Sequence, residues 1–310
     1  VPSGDEARYC AYFGKLVYRH DLSNIYLNPS RLKFFLMDIT FDQPRLKEEH
    51  LRALEEAVMC LETANLAGAL SDLTGKPIEE ALRKIPKPLR KQIDQTVEKL
   101  TLKCLDIAIK SLDHKPKSAG KENYDAIYSG VAGGLGGLLG MASLPLELPV
   151  TTILMLRAIA NIARSQGEDL LSLESRLACI EVFALSKSSL NHRTNLGYYA
   201  SRAMLAKLSK DAVRIMSERG VTQLSTSAIG GLASESAARY GMVISEKVTA
   251  GSIPVIGAIG GATLNVIFLK YFKKLAHGHF TVRRLERIYG KEIIKDEFGF
   301  ALMKLGLSEL

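Results

Sequence analysis

The most constraining feature of the chain is residues 127–146, IYSGVAGGLGGLLGMASLPL, twenty residues without a charge and six of them glycine. Small residues recur every fourth position in three rows: Ala126, Gly130 and Gly134; Ser129, Gly133 and Gly137; Ala132, Gly136 and Gly140. Residues four apart share a face, so a helix here is nearly smooth on most sides. Each interior glycine costs a helix about 1 kcal/mol against alanine. Close approach of another backbone is the usual compensation, and in lipid such rows let helices touch. Residues 251–269, GSIPVIGAIGGATLNVIFL, repeat the theme with nineteen uncharged positions and with Gly257 and Gly261 four apart. The pattern predicts a tight glycine-packed helical hairpin, buried in a bundle or inserted in a bilayer.

The rest of the chain limits how much of it lipid can cover. Hydrophobic residues are 47% and charged residues 24% of 310, the balance of a globular protein rather than a multi-span channel. Tryptophan, a usual marker of membrane interfaces, is absent. The net charge of +8 is concentrated. Residues 76–121 hold twelve Lys/Arg against six Asp/Glu, and residues 270–291 hold seven against Glu286 alone. Such blocks beside apolar segments suit an anionic lipid surface, or they are solvated helix faces. The candidate headgroup contacts are Arg90, Lys91, Lys99, Lys103, Lys273, Lys274, Arg283 and Arg284. No helix-turn-helix, zinc-finger or RNA-binding pattern accompanies them, so nucleic acid is not the expected partner.

Apolar periodicity predicts an all-α chain, with no run of strand-like alternation. Leu46, Leu51, Leu54, Val58, Leu61 and Leu66 predict one helix over 45–73, stopped by Gly75 and Pro77. Pro86 and Pro88 open a long basic amphipathic helix reaching residue 110. The sequence HKPKSAGKE at 114–122 reads as a linker. Further helices are expected over 151–164, closed by Gly167, and over 173–189, 198–219, 222–243 and 267–285. The expected organisation is an N-terminal helical arm with its basic helix (1–113), the linker, a glycine-rich helical bundle (123–290) and a short C-terminal helix (291–310). Cys10, Cys60, Cys104 and Cys179 are scattered among apolar neighbours without CxxC spacing, as expected of buried thiols in a reducing compartment. No basic-then-apolar leader is visible at the start, so the cytoplasm is the expected address.

Several of these segments, taken in order, carry a resemblance. Residues 144–170, LPLELPVTTILMLRAIANIARSQGEDL, precede 176–185, RLACIEVFAL, then IPVIGAIGGATLN and HFTVRRLERIYG. As an ordered set, from about residue 78 to 290, they resemble the EcsC family of bacterial proteins. Its founding member is encoded beside an ABC transporter. The resemblance implies bacterial origin and association with a membrane or transporter, and it supplies no catalytic residues.

Tests for chemistry give little. Around Gly68, Gly75 and Lys76 the phosphate-loop spacing fails, and Leu139 breaks a GxGxxG started at Gly134. GxSxG and HExxH are absent. His277 and His279, two apart, face opposite sides of a helix and lack a further ligand, so neither a metal nor a cofactor is expected. The conspicuous residues are charged or polar groups isolated in apolar helices: Glu147, Arg157, Asn161, Glu181 and Asn265. Glu147 and Arg157 stand about 15 Å apart along one helix and cannot pair within it. The expected pairs cross helices, Arg157 with Glu181 or Glu147 with a distant base. Such a cluster is either a structural ion-pair set or a ligand path. The expectation is thus a non-enzymatic accessory protein, peripheral to or partly inserted in the inner membrane, binding anionic lipid or assisting a transporter. The alternative is a soluble helical enzyme with a hydrophobic pocket for a lipid or peptide.

Overall fold

The computed structural model describes residues 46–74, 103–110, 144–186, 197–218, 230–252 and 261–307. Contacts divide the chain into two units, Val1–Glu48 and Glu49–Leu310, and the second holds the helical bundle. The protein is all-α, with no strand among the described residues. Its helices are α1 (Glu48–Glu62), α2 (Leu66–Thr74), α3 (Leu144–Ser165), α4 (Leu173–Ala184), α5 (Tyr198–Glu218), α6 (Gly230–Ser252), α7 (Gly261–Tyr289) and α8 (Lys291–Lys304), with a further helical segment at 103–110. The Gly130–Gly140 rows, Gly257 and the 114–122 linker lie outside the described residues. Gly261 is the first residue of α7.

The expected helix over 45–73 is two helices. Asn65 ends the continuity, because its Oδ1 accepts the Gly68 amide at 3.0 Å and so caps α2. Helix α3 starts at Leu144 rather than Thr151, and takes in Pro145 and Pro149. Pro145 lies in the first turn, where the amide it removes has no helical partner, whereas Pro149 lies inside the helix and removes one backbone donor. Gly167 closes α3 as expected: at φ 82° it takes the left-handed position, while Glu168 N–H reaches back to Ala163 O at 3.0 Å.

Two helices organise the packing. Helix α4 is buried from Leu177 through Ala184 without a solvent face, and it is covered by α3, α5, α6 and α7. Helix α7 is the longest, at 29 residues, and contacts α2, α3, α4, α6 and α8. Between them lies an aromatic core. Phe183 stacks on Tyr240 with ring centres 4.0 Å apart, and both meet Phe272 edge-on. The Tyr240 hydroxyl is not stranded, since it lies 3.2 Å from Thr152 Oγ1. Gly290, at φ 93°, then turns the chain out of α7 into α8.

Helix α1 crosses α7 at Gly278. A Cβ there would stand 2.7 Å from Leu61 Cγ and 2.9 Å from the Ala57 carbonyl oxygen. Gly278, between two histidines and outside the glycine rows, is thus a close-approach glycine, and a Cβ at Gly231 of α6 would likewise stand 3.0 Å from Leu208 of α5. Gly278→Ala should destabilise the protein by about 1–3 kcal/mol through overpacking, read as a lower urea midpoint at unchanged slope.

Candidate functional site

Four polar residues toward the C-terminal end of α7 engage groups elsewhere in the bundle: His279, Arg283 and Glu286, buried or half-buried, and the more exposed Arg287. Their spacing of four, three and one keeps them on one face of the helix. Each is met by groups from other helices, so the polar interior forms two adjoining networks.

The first network is built on Glu168, in the turn after α3. Its side chain is 3% exposed. Arg283 grips it bidentately, Nε to Oε1 at 2.9 Å and Nη2 to Oε2 at 3.1 Å. Arg287 Nη1 bonds the same Oε1, and the Ser175 hydroxyl donates to Oε2 at 2.6 Å. Arg287 Nη2 also donates to the Gln166 carbonyl at 2.6 Å, and Arg283 reaches Glu174 at 3.3 Å. Burial pushes the Glu168 carboxyl up, but the donors from Arg283 and Ser175 outweigh it and hold it below the ordinary glutamate value. The α3–α4 turn is clamped onto the C-terminal part of α7.

The second network centres on His279, which is completely buried. Its Nδ1 lies 3.1 Å from the Tyr198 hydroxyl of α5. Its Nε2 lies 4.0 Å from Glu181 Oε2 of α4, beyond hydrogen-bond length. We assign the proton to Nε2, because that nitrogen faces a carboxylate and Nδ1 can then accept from Tyr198. The Ser209 hydroxyl donates to Glu181 Oε1 at 2.6 Å. One turn from Tyr198, Arg202 Nη1 donates to Glu286 Oε1 at 2.5 Å, joined by the Tyr199 hydroxyl at 3.2 Å. Burial pushes both tyrosine hydroxyls well above their ordinary value, which keeps them protonated donors. Burial first, then the positive Arg202 and Arg283, holds His279 well below the ordinary histidine value, so the ring is neutral. Glu62 of α1 closes the region by accepting the Tyr198 amide at 2.9 Å.

The candidate residues read from sequence separate on this frame. Glu181 is buried and bonded to Ser209 and faces His279; among the described residues Arg157 is not one of its partners. Arg157 lies half-buried on α3. Asn161 is buried and accepts from Arg164 at 2.8 Å within α3. Asn265 is buried without a partner for Oδ1 among the described residues, so the expected hydrogen bond between helices is not made by that atom. Glu147 lies in α3, and its side chain is outside the described residues. Glu181 and Asn161 are thus bonded to different partners, Ser209 and Arg164. His277 turns to Glu56 of α1 at 3.6 Å, on the opposite side from His279.

Of the expected headgroup contacts, Arg90, Lys91 and Lys99 lie outside the described residues. Lys103 and Lys274 are exposed, Lys274 with Nζ 3.0 Å from Thr63 Oγ1, whereas Lys273 and Arg284 are half-buried. Arg283 departs from expectation: it is turned inward on Glu168, because a buried carboxylate needs a bidentate partner more than the surface needs another charge. The described thiols are inert in character. Burial pushes Cys104 up to about 11 and raises Cys179 and Cys60 as well. Among the described residues no group of acids, histidines and cysteines could hold a metal ion.

The segments that carried the resemblance meet in these networks: Glu168 from the first, Glu181 from the second, and His279, Arg283, Glu286 and Arg287 from the last. The profile of the EcsC protein family matches residues 48–285. The chain belongs to the EcsC protein family. No curated protein and no solved structure matches it. In this EcsC protein the motif charges clamp helices α3, α4 and α5 to α7.

Sequence reasoning missed Glu168, Ser175, Tyr198, Arg202, Ser209 and Arg287. Arg202 and Ser209 sit among other polar residues of an amphipathic helix, where nothing local separates an inward group from a solvated one. Glu286 had a signal, as the one acid in a basic block.

Proposed function

We propose that this EcsC protein is a non-enzymatic accessory protein that docks peripherally on the anionic, cytoplasmic face of a bacterial membrane, where it binds lipid and assists a transporter. The observation that carries the reading is the division of labour among its bases. Arg176, Arg202, Arg283 and Arg287 pair with acids of the fold, whereas Lys103, Lys207, Lys210, Lys270 and Lys274 are exposed. Lysine keeps its charge in water at the end of a flexible stem and acts on phosphate headgroups as a point charge. Each lysine near such a surface contributes about 1 kcal/mol. No described helix is long and apolar enough to cross a membrane, and docking at a surface requires none.

Flotation with vesicles tests this. The protein should float with phosphatidylglycerol vesicles at about 0.1 M salt, not with phosphatidylcholine vesicles, and should be released at about 0.5 M as screening shortens to a few ångströms. Failure to float with anionic vesicles at low salt would reject the reading.

A further inference from the structure

Helical segment 103–110 presents a mixed outward face. Lys103, Ile107 and Lys110 recur at spacings of four and three and are exposed, Ile107 at 51%. The opposite face is seated: Cys104, Leu105 and Ala108 are buried, and Cys104 Sγ lies 3.7 Å from the Pro149 carbonyl oxygen. Asp106 anchors the segment sideways, accepting Arg176 Nη2 of α4 at 3.2 Å and Lys110 Nζ at 2.6 Å. Arg176 belongs to the first turn of α4, and the turn leading into it carries the most exposed large hydrophobic side chain described, Leu171 at 89%.

That leucine is held rather than loose. Asp169 Oδ1 accepts the Leu171 amide at 2.9 Å, and Asp169 O accepts the Ser172 amide at 3.0 Å. Ser172 then caps α4 through the Ser175 amide. Behind it, Glu168 is clamped by Arg283 and Arg287. With the backbone of the turn already braced, little further backbone entropy is lost when the exposed Leu171 side chain enters an apolar phase. Its acidic neighbours are occupied: Asp169 builds the turn and Glu174 pairs with Arg283. Lys103 and Lys110 supply the positive charge of the neighbouring stripe, with Lys110 standing over Asp106.

We infer that Leu171 and Ile107 are the apolar side chains that enter the membrane, with Lys103 and Lys110 on the headgroups of an anionic bilayer. This rests on the peripheral docking proposed above and names the surface that performs it. Charge complementarity selects the occupant, since two lysines flank the exposed isoleucine on one helix face.

The absence of tryptophan supplies a clean reporter. In the full chain, Leu171→Trp should shift its emission to the blue with phosphatidylglycerol vesicles and be quenched by brominated acyl chains. Met59→Trp, at an exposed site on α1, should do neither. Leu171→Ser and Ile107→Ser should each weaken vesicle binding roughly tenfold or more, with unchanged melting, whereas Met59→Ser should not. Lys103→Glu should weaken it about fivefold or more at low salt. If the wild type floats but Leu171→Trp shows no shift and Leu171→Ser binds normally, this surface is wrong while peripheral docking stands. If the wild type does not float, docking itself fails and this inference with it.

Discussion

Glu168→Gln is expected to lower the stability of the folded protein by about 3–5 kcal/mol, because it takes the buried countercharge from Arg283 and leaves it only the solvent-facing Glu174. The Arg283 side chain is 13% exposed, and burial is the first influence on its charge, opposing it; Glu168 more than restores it. Glutamine keeps the shape and one acceptor oxygen but not the bidentate anion. Much of the loss should return in Glu168→Leu combined with Arg283→Met, since an apolar pair of similar volume avoids the desolvation cost of both charges. Urea denaturation of wild type, single and double variants checks both statements. The carboxyl is held below its ordinary value, so its contribution is complete above about pH 4.5 and is lost as pH falls through the folded value. Glu168→Gln should accordingly flatten the acid limb of the stability curve.

His279 gives a separate dependence at higher pH. Its ring is neutral and fully buried, with its folded value well below the ordinary histidine value of 6.5. The unfolded chain therefore binds a proton that the folded protein refuses. Stability is intact above about pH 6.5 and falls below it by up to about 1.4 kcal/mol per pH unit, until the folded value is reached. Protonation there would place a cation near Arg202 and Arg283, with Glu181 as the facing acid. His279→Gln should remove this slope while retaining a partner for Tyr198. A wild-type stability that is flat between pH 6.5 and 5 would refute the assignment of His279 as a buried neutral base. The two effects differ in onset, the His279 loss beginning below about pH 6.5 and the Glu168 loss only below about pH 4.5.

Both predictions concern groups whose importance was unevenly visible in the sequence. Glu181 stood out because eight apolar or small residues surround it in RLACIEVFAL, and burial of that helix on all sides follows from the same composition. Glu168 did not stand out: it lies in SQGEDL, a polar turn of ordinary composition. Its burial is decided by where α7 passes, more than a hundred residues later. Arg283 and Lys274 read alike as members of one basic block, yet one faces inward and the other stands in water. A helix face becomes inward only relative to a neighbour, and periodicity cannot name the neighbour.

The glycines make the same distinction. The positive φ of Gly167 was legible, since a helix pattern that stops at glycine calls for a left-handed cap. Gly278 was not, because its need for a missing Cβ comes from the Ala57 carbonyl and the Leu61 side chain of another helix. The all-helical class, the close of α3, the buried character of α4 and the family were all written in the order of the residues, because each follows from local spacing, capping or an ordered set of motifs. Which charges pair, which histidine is buried and which glycine admits a neighbour were settled by the packing of the helices. Those outcomes depend on contacts between residues far apart in the chain, whose free energies exist only once the helices have met.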